Sequence, residues 1–162
     1  MGRRIYNFFF NTDMPMWRYV VRSGVISLIP SMVVSFFLAQ TGVMTEENAP
    51  DLEVGGPLAI FIGIVIFSPV IETFLMASGI WLLSFITQRP LRLALLSAIL
   101  WAALHSLLSP PWGIGILWPF FVFSCAYLAW RKKTWWRAIW VTICIHAFQN
   151  FFPGLAVIFA TT

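Results

Sequence analysis

Glu72, His105, His146 and Asn150 are the residues of this chain whose types and positions could do chemistry. Each lies inside a long apolar run rather than in a polar loop. Glu72 is the single acid left within such a run once the charged connecting segments are set aside, and the two histidines are the only ones in the chain. A carboxylate and two imidazoles can move protons, activate water or ligate a metal. Asn150 follows His146 by one helical turn and shares its face, adding an amide to the same spot. Each of these residues alone is also readable as interhelical glue or a packing acid. Ionisable groups at membrane depth are costly, however, and face a bundle interior or a wet cavity.

The elements that must position them are dictated by composition. Of 162 residues 60% are apolar and only 10% charged, against roughly 25% charged in a soluble domain. Mean hydropathy is +0.86. Ten cations and six anions cannot cover a soluble surface of this size, so the chain reads as one integral membrane domain spanning 1–162, an all-α polytopic bundle. Apolar runs near the 20-residue length of a spanning helix predict five spans, at 20–40, 56–87, 91–108, 113–130 and 136–159, with Pro153-Gly154 interrupting the last. Residues 1–19 read as an interfacial segment, because Phe8-Phe9-Phe10 is too short for a secretory signal and lacks a cleavage site.

Charge supports that count. Arg3, Arg4, Arg18 and Arg22 precede the first span, Arg89 and Arg92 join the second to the third, and Arg131, Lys132, Lys133 and Arg137 join the fourth to the fifth. The first connection carries Glu46, Glu47, Asp51 and Glu53 and no cation. Five spans put every cation on one side, which sets the N-terminus inside and the C-terminus outside. Trp17, Trp130, Trp135, Trp136 and Trp140 then crowd the inner interface. No basic stripe with interleaved aromatics lies on a polar segment, so nucleic acid is not an expected partner. Cys125 and Cys144, inside apolar runs, read as buried free thiols.

Depth brings the four polar residues together. At 1.5 Å per residue from the inner anchors, Glu72 lies roughly 25 Å out, His105 and Asn150 about 20 Å, and His146 about 14 Å. Three helices thus deliver them to one slab between the midplane and the outer half. Pro69 is expected to kink its helix and release the carbonyl of Val65 beside Glu72.

The order of these residues resembles the CPBP family, the CAAX prenyl endopeptidases and bacteriocin-processing enzymes also called Abi proteins. The family marks P-x-x-E-E-x-x-x-R, F-x-x-x-H and H-x-x-x-N correspond to Pro69-Val70-Ile71-Glu72-Thr73 with Ala77, to Trp101 with His105, and to His146 with Asn150. The resemblance covers 56–152, the catalytic-core-like helices. Thr73 replaces the second Glu, Ala77 the Arg, and Trp101 the Phe. It implies a metal-independent glutamic endopeptidase without a cofactor, acting on a membrane-anchored protein or peptide in the bilayer. Glu72 with His105 would activate water, and His146 with Asn150 would support the oxyanion.

Other readings stay open beside it. Glu, His and His with water in the fourth position is a ligand set zinc accepts, although no H-E-x-x-H helix exists. Thr73 and Ala77 fit a catalytically inactive relative serving as an immunity or scaffold protein. A proton-coupled carrier would need a continuous polar path that the spans do not offer. The compact set of spans fits a bacterial inner membrane; substrate identity and oligomeric state are not written in the residues.

Overall fold

The computed structural model describes residues 2–43 and 55–160, so Glu46, Glu47, Asp51 and Glu53 of the acidic connection lie outside the described residues. Among the described residues the chain is all α. In order come α1 (Gly2–Phe10), α2 (Met16–Gln40), α3 (Pro57–Ile62), a π-helical segment (Gly63–Phe67), α4 (Ser68–Leu83), α5 (Pro90–Ser106), α6 (Pro110–Trp130) and α7 (Trp135–Ala160). α3, the π segment and α4 follow without a break and form one rod, Pro57–Leu83. The protein is a polytopic helical membrane bundle.

Prolines set the helix starts. Pro57, Pro90 and Pro110 each occupy a first-turn position, where the missing N–H costs nothing. Four rods, Met16–Gln40, Pro57–Leu83, Pro110–Trp130 and Trp135–Phe159, are long and apolar enough to cross a membrane. The expected third span is shorter than the rest: α5 has 17 residues, about 25 Å of rise against a hydrocarbon core of about 30 Å. Pro110 is the reason, since it holds Ser109 extended (φ −154°, ψ 111°) and the helix must close before it.

α6 is the axis of the bundle, with every residue from 122 to 130 buried. Close backbone approaches seat its neighbours. A Cβ on Gly113 would collide with the Ala102 carbonyl of α5, and one on Gly24 of α2 would come within 2.6 Å of the Phe148 ring on α7. Outward-facing positions such as Ile29, Phe36, Leu58, Phe67 and Leu82 are more than half exposed, as lipid-facing side chains should be.

Three expectations are corrected. Trp130 is not part of an interfacial belt: it is 3% exposed and packs edge-on against Tyr19, because it ends the buried face of α6. Trp17, Trp135, Trp136 and Trp140 are exposed. Cys144 is exposed rather than buried, since it falls on the outer face of α7, whereas Cys125 is buried. Pro153 does not interrupt α7, which runs through it. The adjoining Gly154 lets α7 press so closely on the Pro57–Leu83 rod that a Cβ there would meet Val65 Cγ2 at 2.9 Å.

The cation-bearing segments converge at one end of the bundle. Lys132 Nζ donates to Tyr6 Oη at 2.8 Å, Lys133 Nζ to the Thr12 carbonyl at 2.9 Å, and Arg22 Nη2 to the Phe8 carbonyl at 2.7 Å. Gln88, Arg131 and Lys132 line one cleft there. α1 folds back on this end through Phe9, which meets Trp118 and Phe121 of α6 edge-on.

Candidate active site

The helix that carries Glu72 is shaped by Pro69. In the π segment each N–H reaches back five residues, as Ser68 does to the Gly63 carbonyl. The next bond in that register would run from residue 69 to the Ile64 carbonyl, and proline has no N–H to make it. Asn150 Nδ2 of α7 supplies the missing donor, at 3.0 Å from the Ile64 oxygen. The freed acceptor is therefore Ile64, not Val65, because the π turn shifts the ladder by one residue. The same turn carries Ser68, whose Oγ donates to Glu72 Oε1.

The other carboxylate oxygen faces both histidines. Glu72 Oε2 lies 3.9 Å from His105 Nε2 and 4.0 Å from His146 Nε2. Both separations exceed direct hydrogen-bond range and suit a single bridging water. His105 Nδ1 stands 2.9 Å from the Trp101 carbonyl, which can only accept. In the neutral imidazole that bond places the proton on Nδ1 and leaves the Nε2 lone pair facing Glu72.

Aromatic rings hold the imidazoles in place. Trp112 meets His105 edge-on with centroids 4.6 Å apart, and Phe123 stacks on His146 at 4.5 Å. Phe120 touches both histidines and stacks on Trp101 at 4.8 Å. Gln149 Nε2 donates to Ser31 Oγ at 2.7 Å, tying α7 to α2 beside them.

All four residues singled out from the sequence line one cavity of about 790 Å³, walled by α2, the Pro57–Leu83 rod, α5 through His105, α6 and α7. Ser68, Gln149 and Ser31 line it too and escape the sequence reading. Ser68 carries a readable signal, since it stands one helical turn before Glu72. The Gln149–Ser31 pair, 118 residues apart, does not. Thr73 and Ala77, where this chain departs from the family marks, are 1% and 6% exposed and pack in the core rather than on the cavity wall. Among the described residues no group of three His, Cys, Asp or Glu side chains is placed to hold a metal ion.

The sequence model of the type II CAAX prenyl endopeptidase Rce1-like family matches residues 54–152, more than half of the chain. The chain belongs to this family. No curated protein and no solved structure matches it. Membership in the Rce1-like family makes the chain an endopeptidase of the CAAX-type intramembrane class, with a peptide or protein substrate in the membrane. The matched stretch contains Glu72, His105, His146 and Asn150 and stops short of α2. The wall formed by Ser31 and Ser35 is thus supplied from outside the Rce1-like core.

Proposed function

We propose that this chain is a metal-independent glutamic endopeptidase of a bacterial inner membrane, which hydrolyses a peptide bond of a membrane-anchored protein or peptide. The observation that carries the proposal is the approach of His105 Nε2 and His146 Nε2 to one oxygen of Glu72 at the wall of a cavity. Water bridging Glu72 Oε2 and the bare His105 Nε2 is held by two acceptors with its own lone pair free to attack. As its oxygen bonds to the scissile carbonyl carbon, Glu72 takes its proton. His146, as its Nε2–H tautomer, and the second N–H of Asn150 donate to the tetrahedral oxyanion. Collapse breaks the C–N bond, Glu72 returns the proton to the leaving amine, and the new carboxylic acid passes its remaining proton to that amine, giving a carboxylate and an ammonium.

A zinc site is the competing reading of the same donors. Tetrahedral zinc with bonds of about 2.0–2.1 Å brings its ligand atoms to roughly 3.3 Å of one another, closer than the separations here. The prenyl group in the family's description adds no feature to this substrate, since nothing on the cavity wall is specific to it.

The test is turnover of a membrane-embedded peptide by purified protein in liposomes. Glu72→Gln is expected to lower the rate by at least about 10²-fold, the scale of a general base, while the parent keeps its rate after strong chelation. A Glu72→Gln protein cutting at the parental rate would overturn the assignment, and activity lost to chelator and restored by zinc would favour the metal.

A further inference from the structure

The cavity lies toward the end of the bundle that carries no cations. Its lining starts at Glu72, His146 and Phe123 and runs to Ser35, Ala59 and Val157. Along α7 alone, from His146 to Val157, this is about 16 Å of rise. These residues stand at the C-terminal parts of α2 and α7 and at the N-terminus of α3. In the opposite direction Met76, Ile80, Phe123, Ile139 and Ile145 are 0–1% exposed. Beneath Glu72, Ser124 Oγ donates to Ser97 Oγ at 2.9 Å. Past this plug lie Arg22, Gln88, Arg131, Lys132 and Lys133 at the cationic end.

Basic residues beside membrane spans are retained on the cytoplasmic side, and here all ten cations flank the same ends of the spans while four acids occupy the one long opposite connection. We infer that the cavity opens to the extracytoplasmic side, and that the substrate is a membrane-inserted polypeptide whose scissile bond is presented in the outer leaflet. This rests on the endopeptidase reading of the same cavity. A protein anchored by a lipid on the cytoplasmic face, with its cleavage point at that surface, would meet the plug and not Glu72. A translocated peptide, or a spanning segment whose outer end unwinds, meets the cavity directly.

Thiol labelling in intact membranes tests the orientation without turnover, so it can fail while the endopeptidase reading stands, and the reverse. In a Cys144→Ser background, where the remaining Cys125 is buried, Ala59→Cys and Ser35→Cys each put a thiol at the mouth. Gln88→Cys puts one at the cationic end. A membrane-impermeant maleimide is expected to label the mouth thiols at least tenfold faster in right-side-out spheroplasts than in inside-out vesicles, and Gln88→Cys in the opposite sense. Labelling of the mouth only from inside-out vesicles overturns the inference, as does no labelling from either side, because water must reach this mouth. Alkaline phosphatase fused after Thr162 of the unaltered chain is a check free of cysteine variants: active enzyme supports an outward mouth and inactive enzyme overturns it.

Discussion

The two oxygens of Glu72 have different partners, and that division makes separate predictions. Oε1 accepts from Ser68 and Oε2 faces the imidazoles. Removing the hydroxyl in Ser68→Ala frees the carboxylate to rotate, and a hydrogen bond to a charged group contributes about 1.5–3 kcal/mol. We expect kcat to fall about 10- to 100-fold with KM little changed, and Ser68→Thr to recover most of it. Equal rates for Ser68→Ala and the parent would show that Oε1 needs no partner. His105 holds its proton on Nδ1 through the Trp101 carbonyl, a backbone group, so Trp101→Phe should retain activity within a few-fold as long as the ring still stacks on Phe120. The family-mark residues are legible in the sequence because helical spacing and depth are arithmetic. The tautomer of His105 is not, since it depends on which lone pair the folded backbone presents.

Between elements, the bond from Asn150 to Ile64 joins α7 to the π turn that carries Ser68 and Glu72. Pro69→Ala would restore an N–H able to reach the Ile64 carbonyl and compete with Asn150. Thermal stability should hold or rise, because proline inside a helix costs about 3 kcal/mol, while turnover falls. A Pro69→Ala, Asn150→Ala pair should then be clearly non-additive in a double-mutant cycle. Additive losses would mean that the two do not share one acceptor. Gly113→Ala tests the seating of α5 on α6: its Cβ would strike the Ala102 carbonyl, backbone that cannot rotate aside, and a loss of about 1–3 kcal/mol is expected in detergent unfolding. Helix starts at Pro57, Pro90 and Pro110 are local and can be read from the chain, as is the stop before Ser109-Pro110. The π turn and the unbroken passage through Pro153 are tertiary outcomes, decided by donors and close packing from another helix.

For the whole molecule, composition and the placement of cations prescribe a membrane bundle, and the burial of Trp130 with the exposure of Cys144 shows what they leave out: which side of each helix turns inward. Both fragments are released into the cavity that binds the substrate. The amine-bearing fragment should therefore inhibit competitively, which initial-rate measurements with added product would reveal; no inhibition at concentrations near KM would argue that product and substrate do not share it. The packed layer of Met76, Ile80, Phe123 and Ile145 beneath Glu72 has a consequence for the host as well. A hollow reaching into the bilayer would otherwise be a path for ions, and this packed layer is what stands across it.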